Sequence, residues 1–238
     1  MKKLLITGGS RGIGRACVEY FSSLGYRVAF IYAKSEDAAE ELAAACGALA
    51  IKADVSDAAS VKAAFESALE WLGGLDVLIN NAGIAQIKLL SDVTDVDWVR
   101  MIGINLSGVF YATRAAIPTM VAQKSGRIIN IGSVWGRCGA SCEAHYSATK
   151  SALRGLTYSL AKELGPSGIT VNCIEPGVID TDMNRDLSED EMRELADETP
   201  LCRIGDPLEV AYLAEFLASE RASFITGQTI GIDGGFAL

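Results

Sequence analysis

Tyr146 and Lys150 are the residues of this 238-residue sequence whose types and spacing most directly suggest chemistry. They lie four positions apart in a stretch that is predicted to be helical, so their side chains share one face. An ammonium near a phenol stabilises phenolate and lowers the tyrosine pKa from its ordinary value of about 10, which would allow proton exchange with a carbonyl or alcohol oxygen. Taken alone, the pair is better explained as an ordinary surface Tyr/Lys pair.

Ser133 strengthens the catalytic interpretation. It follows a strand predicted at residues 127–131, and open α/β sheets bind ligands at the carboxyl ends of their strands. A hydroxyl there can hydrogen-bond a substrate oxygen, although a turn serine or a helix cap would have the same position.

A glycine-rich turn follows the first predicted strand at once. Its sequence is Thr7-Gly8-Gly9-Ser10-Arg11-Gly12-Ile13-Gly14. Glycines allow a sharp turn and a close approach to a ligand, and the free N–H groups of the helix that begins here face an anion. The turn therefore predicts a dinucleotide phosphate site, although a glycine pattern alone is a weak signal and a turn without a ligand is the alternative.

The second predicted strand ends in Ile31-Tyr32-Ala33-Lys34-Ser35, without the acid that would bind a ribose 2′-hydroxyl. Lys34, Ser35 and Arg11 could instead surround a 2′-phosphate. The sequence thus favours NADP(H) over NAD(H).

These candidates are positioned by short apolar runs that alternate with helical stretches. The predicted strands are 4–6, 27–32, 49–52, 76–80, 127–131, 169–174 and 228–232. The predicted helices extend from the glycine turn to residue 21 and over 36–45, 60–71, 97–123, 147–164 and 208–217, with Pro118 expected to bend or end one of them. We predict one α/β domain over 1–238, built on a single doubly wound Rossmann-type parallel sheet of about seven strands with helices on both faces and right-handed crossovers. The charged segment 182–199 is either a pair of surface helices or a mobile lid.

The composition of the chain argues against several classes of function. The formal net charge of −9 argues against nucleic-acid binding. The six cysteines form no CxxC pair and the single histidine, His145, cannot complete a usual zinc site, so we expect no metal. The amino-terminal apolar run is too short for a signal peptide or a membrane span, and we expect a reduced, cytoplasmic protein.

Taken in order, the motifs resemble those of the short-chain dehydrogenase/reductase family. The matching features are the glycine turn, Asp54-Val55, Asn80-Asn81-Ala82-Gly83, Asn105, Ser133, Tyr146-Ser147-Ala148-Thr149-Lys150, Pro176-Gly177, and Thr226-Gly227-Gln228 with Asp233-Gly234-Gly235. The resemblance spans the whole chain, and the combination is far more specific than any one motif.

The resemblance implies a role for each catalytic candidate. Tyr146 would be the general acid/base, Lys150 would bind the nicotinamide ribose and lower the tyrosine pKa, and Ser133 would orient the substrate carbonyl. Asn105 would hold a water that extends the proton relay, unless it is a buried helix asparagine that satisfies backbone groups. His145 precedes Tyr146, but neighbouring helical residues point apart, and we expect no direct catalytic role for it.

The resemblance also implies contacts to the cofactor. Asp54 and Val55 would contact adenine, although Asp54 could instead cap the following turn. Asn81-Ala82-Gly83 would line the cofactor. The nicotinamide carboxamide would be bordered by Pro176, Gly177, Ile179 and Thr181.

Within the family, the chain is most similar to the 3-oxoacyl-(acyl-carrier-protein) reductases. The similar residues are Gly132-Ser133-Val134, Gly168-Ile169-Thr170-Val171-Asn172 and Ile179-Asp180-Thr181-Asp182-Met183. This implies reduction of a 3-oxoacyl thioester with NADPH by a homotetramer, with acyl carrier protein as a partner. An acidic carrier favours bases at the site mouth, for which Lys124, Arg127 and Arg137 are candidates, although Ser167 stands where such reductases often have a base.

The loop before Tyr146 is the least generic part of the chain, and we expect Trp135, Cys142 and Glu143 to line the substrate. This loop, with Ile84-Ala85-Gln86, is similar to reductases of 5-aminopentanone groups attached to elongation factor P. Glu143 could pair with the ammonium of such a substrate or be a solvated loop carboxylate. From a different class, a cofactor-binding regulator without turnover is the alternative, and the intact set of Ser133, Tyr146 and Lys150 argues against it.

Overall fold

The computed structural model describes residues 1–184 and 187–237. Seven strands form one sheet: β1 (Lys3–Thr7), β2 (Arg27–Tyr32), β3 (Leu49–Lys52), β4 (Val77–Asn80), β5 (Gly126–Ile131), β6 (Ile169–Pro176) and β7 (Thr229–Ile232). All neighbours pair in parallel, in the order β3-β2-β1-β4-β5-β6-β7. The predicted doubly wound sheet of about seven strands is confirmed.

Nine α-helices lie in the described ranges. They are α1 (Gly12–Ser23), α2 (Glu36–Cys46), α3 (Ala58–Leu72), α4 (Asp95–Ile102), α5 (Gly108–Gln123), α6 (Trp135–Cys138), α7 (Ala144–Leu164), α8 (Glu189–Glu198) and α9 (Pro207–Ala218). Short 3-10 turns occur at Leu90–Asp92, Gly165–Ser167, Asp182–Asn184 and Glu220–Ala222. None of the helices in this part of the chain combines the length and apolarity that a membrane span needs.

The helices cover both faces of the sheet because successive strand residues point in opposite directions. On one face, Ile6 belongs to a core that includes Phe21 of α1 and residues of α2 and α9. On the other face, Leu5 belongs to a core that includes Phe65 of α3 and residues of α5 and α7. Burial on both faces explains why the strands are apolar throughout rather than alternating.

The helix predicted over 97–123 is interrupted, and not at Pro118. The chain forms α4, then a π-helical turn at Gly103–Ser107, then α5, which continues past Pro118 to Gln123. Proline removes one helical hydrogen bond, but Ala116 and Met120 on either side are fully buried, and their packing outweighs that loss. Pro118 does not end the helix, so that part of the expectation is wrong. The wider turn presents Asn105 to the interior.

Of the segment 182–199, the described parts 182–184 and 187–199 contain one α-helix, α8, rather than a pair. Its capping box joins Ser188 and Glu191, since each side chain bonds the backbone N–H of the other. Residues 185–186, which belong to the predicted lid, lie outside the described residues.

Parallel register brings the ends of the strands to one edge. Thr7 pairs with Asn80, and Asn80 pairs with Asn130, so the segments that follow β1, β4 and β5 begin side by side. The order reverses between β1 and β4, because the chain leaves β1 toward β2 and later returns to the other side of it. A crevice at such a reversal is where open α/β sheets bind ligands.

Candidate active site

The glycine turn lies at this reversal and is packed too closely to admit side chains. Gly8 and Gly12 have φ values of +71° and +50°, which favour glycine. A β-carbon at Gly14 would collide with the carbonyl oxygen of Gly8, and one at Gly12 would lie 3.2 Å from Thr181 Cγ2. Arg11, the N-cap of α1, offers no side-chain bond, and the first turn of α1 holds no acid. The N–H groups that begin α1 therefore face a cradle suited to an anion.

The segment after β4 is tied to this turn by side-chain bonds. Thr7 Oγ1 accepts hydrogen bonds of 3.1 Å from the backbone N–H groups of Asn81 and Ala82. Asn81 Nδ2 donates to the carbonyl oxygens of Thr7 and Gly8 at 3.1 and 2.9 Å. These bonds place Asn81 and Ala82 against the glycine turn, and the role of Asn81, Ala82 and Gly83 in lining the cofactor stays a prediction. Ser10 and Ile13 lie in the turn itself, with the Ser10 side chain largely buried.

The ends of β2 and β3 provide the other end of the crevice. Tyr32 is buried, Lys34 is exposed, and Ser35 is the N-cap of α2 without a side-chain bond to it. Glu36, the nearest acid, is paired with Lys52 at 2.7 Å. Within the described residues Lys34 has no ion-pair or hydrogen-bond partner for its ammonium, so this end carries an available positive charge.

Asp54 serves the turn that follows β3. Its Oδ1 accepts bonds from Ser56 N at 2.9 Å and Ser56 Oγ at 2.7 Å, and these bonds hold the pKa of the carboxyl below its usual value. The turn-capping alternative describes this residue, while the helix itself is capped by Asp57. Val55 is buried beside it.

Ser133, Tyr146 and Lys150 come together in the interior, each at most 7% exposed. Lys150 Nζ lies 5.7 Å from the centre of the Tyr146 ring and donates a 2.8 Å bond to the carbonyl oxygen of Ile131. Ser133 Oγ accepts a 3.2 Å bond from the N–H of Trp135, which leaves its own hydrogen available to another oxygen.

Burial dominates the protonation of this cluster. Desolvation raises the pKa of Tyr146 to about 12, with a smaller lowering from the Ser133 hydroxyl and a smaller raising from the charge of Glu143. Desolvation also lowers the pKa of Lys150 to about 8. In this arrangement the Lys150 ammonium bonds to a carbonyl and desolvation of the phenol outweighs any lowering of its pKa, so the expected effect of Lys150 on the tyrosine pKa stays a prediction.

Asn105 is fully buried in the π-helical turn. Its Oδ1 accepts from Ile84 N and its Nδ2 donates to Ile84 O, both at 2.8 Å. These bonds are the ones expected if Asn105 is a buried helix asparagine that satisfies backbone groups. A β-carbon at Gly83 would lie 3.5 Å from Asn105 Oδ1 and 3.6 Å from Lys150 Nζ, so the two side chains border the same space.

The residues predicted to border the nicotinamide follow β6. Pro176 ends the strand, and a β-carbon at Gly177 would lie 2.8 Å from Asp233 Cα, so this turn is also closely packed. Ile179 is buried and Thr181 reaches the glycine turn at Gly12. The structure therefore brings this group to the crevice as well.

The predicted substrate loop contains α6 and the turn before α7. Trp135 packs edge-on against Phe236, with ring centres 5.3 Å apart, and Cys142 adopts a left-handed φ of +62°. Glu143 is half-buried, and desolvation raises the pKa of its carboxyl. No hydrogen bond or ion pair to this carboxylate occurs among residues 1–184 and 187–237.

Two of the three bases proposed for the site mouth are elsewhere. Lys124 is the C-cap of α5 and Arg127 is the second residue of β5, which places both at the amino edge of the sheet, and Arg127 is buried and paired with Glu220 at 3.3 Å. Arg137, on α6, is exposed at the edge that holds the site. The amino end of a strand and its carboxyl end are on opposite edges, which the sequence-based proposal for Lys124 and Arg127 overlooked.

Sequence reasoning missed Phe236 and the helix α6. Phe236 reaches the site only because β7 is the neighbour of β6, and no local pattern in the sequence indicates that contact. The four residues of α6 are too few for helical periodicity to be read.

Comparison with known proteins finds relatives that match almost the whole chain. A family model described as enoyl-(acyl carrier protein) reductase matches residues 8–237. A 3-oxoacyl-(acyl-carrier-protein) reductase from Staphylococcus aureus is 43% identical over 242 residues, covering 100% of this chain and 98% of the relative.

Solved structures are also similar over the whole chain. A short-chain dehydrogenase/reductase from Serratia marcescens is 40% identical with a TM-score of 0.93, covering 100% of this chain and 98% of that one. A 3-ketoacyl-(acyl-carrier-protein) reductase from Brucella melitensis, complexed with NADH, is 33% identical with a TM-score of 0.94 and the same coverage.

The burial of Lys150 predicts a pH-dependent cost to folding. Because its pKa falls from 10.5 to about 8, the unfolded chain holds a proton that the folded chain lacks between these values, and stability rises with pH across that window. Lys150→Met should remove this rise. The stability advantage of the variant over the parent, measured by urea unfolding, should be largest below pH 8 and shrink by about 3 kcal/mol toward pH 10.5.

Lys62→Met is the matched control, because Lys62 lies in solvent on α3. It should give a nearly constant difference from the parent over the same range. If the Lys150 and Lys62 variants behave alike, the lysine is not desolvated in solution.

Proposed function

The chain belongs to the short-chain dehydrogenase/reductase family, and we propose that it uses NADPH to reduce a ketone to a secondary alcohol, the ketone being a 3-oxoacyl thioester. The observation that carries the proposal is the buried cluster of Ser133, Tyr146 and Lys150 beside the glycine turn. The cradle, in which β-carbons at Gly8 or Gly14 would meet neighbouring backbone, fits a dinucleotide pyrophosphate.

The nicotinamide would supply a hydride to the carbonyl carbon, and the protein must then supply a proton to the oxygen. Tyr146 is suited to donate that proton, since its raised pKa keeps the phenol protonated at neutral pH. Ser133 has a free hydroxyl hydrogen that can hold the same carbonyl oxygen in line. The resulting phenolate would form next to the Lys150 ammonium, which can stabilise it and return the proton. Ketone, hydride and proton together give the alcohol and oxidised cofactor.

A ketone suits this cluster better than the carbon–carbon double bond named in the description of the family model. Reduction of a ketone places its proton on oxygen, and the cluster offers two hydroxyl groups that can bond to oxygen, those of Ser133 and Tyr146. The 3-oxoacyl substrate follows the names of the S. aureus and B. melitensis relatives.

A second substrate class is favoured by one observation, the half-buried Glu143 carboxylate without an ionic partner in the described ranges. An ammonium on the substrate would provide that partner, as in an amino ketone such as the 5-aminopentanone group on elongation factor P. Helix α8 adds six acids and one base near the same edge, in the sequence EDEMRELADE. This negative field suits a cationic substrate and opposes an acidic carrier protein, for which Arg137 is the exposed base near the site.

The homotetramer is supported by exposed apolar side chains on the two helices beyond the site. Val96 and Val99 of α4 are 77% and 68% exposed, and Phe110 of α5 is 45% exposed. Such a patch on a soluble domain commonly marks a contact surface.

Tyr146→Phe tests the proton donor and separates an enzyme from a cofactor-binding regulator. Oxidation of NADPH with a simple β-ketoester should fall by a factor of about 10² to 10⁴, while NADPH binding, measured by fluorescence titration, stays close to that of the parent. Tyr158→Phe is the control, because Tyr158 is an exposed tyrosine on the same helix. A parent protein that binds NADPH but reduces neither the β-ketoester nor any other ketone tested would favour the regulator.

Lys34→Met tests the preference for NADPH. A charge-assisted bond to the 2′-phosphate contributes about 1.5–3 kcal/mol, so the Kd for NADPH should rise about tenfold to about a hundredfold and the Kd for NADH should change little. Calorimetric titration of both cofactors measures this, with Lys62→Met as the charge-matched control. Tighter binding of NADH than of NADPH by the parent would reject the NADPH assignment, an outcome that the NADH complex of the B. melitensis relative makes worth testing.

Glu143→Gln distinguishes the two substrate classes. If the carboxylate holds an ammonium, kcat/KM for an amino ketone should fall about tenfold or more, while reduction of a neutral ketone of the same length should not fall, because the variant removes a charge that opposes the phenolate. Glu189→Gln, an exposed carboxylate on α8, is the control. Equal losses on both ketones would count against the ion pair, and robust turnover of acetoacetyl thioesters alone would favour the 3-oxoacyl assignment.

A further inference from the structure

Residues 84–88, here called the bridging segment, lie between β4 and α4 in the chain, form no regular structure and contact the substrate loop. Asn105 holds its first residue, Ile84, through the two backbone bonds described above. At its last residue, Lys88 N donates a 2.6 Å bond to the carbonyl oxygen of Cys142. Between these ends, Gln86 Oε1 lies 3.1 Å from His145 Nε2. The segment therefore touches the π-helical turn, α7 and the substrate loop.

The acceptor-only carboxylate of Asp97 orients this chain of bonds. Asp97 Oδ1 lies 3.2 Å from Gln86 Nε2, so the amide nitrogen must face Asp97 and the amide oxygen must face His145. Because an amide oxygen can only accept, His145 Nε2 must carry the hydrogen. Asp97 is itself held ionised, since bonds from Lys88 Nζ at 2.8 Å and from Thr94 lower its pKa well below the usual range.

The first turn of α7 depends on this contact more than most helix starts do. Its N-cap, Glu143, makes no side-chain bond to the free N–H groups of the turn. His145 is fully buried in that turn, and its only hydrogen-bond partner among the described residues is Gln86. Tyr146 is the next residue, so whatever fixes His145 also fixes the backbone from which the phenol projects.

We propose that Gln86, oriented by Asp97, is a positioning residue that holds His145 and thereby aims the Tyr146 hydroxyl at the substrate oxygen. The assignment rests on the proposed reductase function for its kinetic consequence, but the hydrogen bond itself does not. Loss of the bond would leave a buried N–H unsatisfied and release the turn, which misplaces the proton donor without touching the cofactor cradle.

Gln86→Leu removes the bond while keeping the size of the side chain. The value of kcat for ketone reduction should fall about tenfold to about a hundredfold, with the KM for NADPH unchanged. Ile87→Ala is the control, since Ile87 is the exposed neighbour in the same segment. Asp97→Asn provides a second variant should the first fold poorly: it keeps the shape but no longer forces the orientation of the amide, and kcat should fall by a smaller factor.

The single histidine of the chain gives a readout independent of activity. A hydrogen-bonded, buried Nε2–H exchanges slowly with water, so nitrogen-15 NMR should show one imidazole N–H signal in the parent and in Ile87→Ala but not in Gln86→Leu. A signal that persists in Gln86→Leu, or its loss with kcat unchanged, would overturn the positioning role. A parent without ketone turnover would refute the proposed function, and the imidazole signal would still decide whether Gln86 holds His145.

Discussion

The turn after β1 lies against the segment after β4 so closely that neither can hold additional atoms. Thr7 Oγ1 accepts two backbone N–H groups from across the reversal, and Asn81 returns two bonds to the carbonyls of Thr7 and Gly8. These bonds fix the distance between two strands that are joined by no short connection, and they leave the N–H groups of α1 directed into the crevice. Parallel register then carries the same alignment outward to β5 and β6, where Ser133 and Pro176 follow at the same edge.

Desolvation explains how one small cluster can hold both a proton donor and a cation. The same loss of water raises the pKa of a neutral acid, Tyr146, and lowers that of a cationic acid, Lys150, so two pKa values that are close in water move apart in the interior. In the interior, the difference between the two pKa values also depends on the charges that lie near the cluster. A developing phenolate would restore the charge of Lys150, and a carboxylate such as Glu143 opposes that phenolate. The protonation of the site is thus controlled by charges in the substrate loop as well as by the cluster.

The sheet, its order and the residues at its carboxyl edge could be predicted because they depend on local patterns and on register. Strand ends are visible in the sequence, and parallel strands bring all of their ends to one edge, which is why Asn81, Ser133 and Gly177 could be placed together. The predictions that failed depend on packing and on three-dimensional position rather than on a local pattern. Whether Pro118 ends a helix depends on the packing of Ala116 and Met120. Whether Arg127 can lie at the mouth of the site depends on which end of β5 it occupies. The contact of Phe236 with Trp135 joins residues about a hundred positions apart and leaves no local trace.

The substrate loop differs from the cofactor crevice in what holds it. The crevice is defined by backbone packed against backbone, which tolerates almost no substitution. The loop is instead connected through side chains and single bonds, as at Gln86 with His145, Cys142 with Lys88 and Trp135 with Phe236. A loop held in this way can exchange one or two side chains and present a different charge to the substrate while Tyr146 stays in place. A family fold can therefore keep its proton chemistry and change its ketone, and in this chain we propose that the charge presented to the substrate is the carboxylate of Glu143.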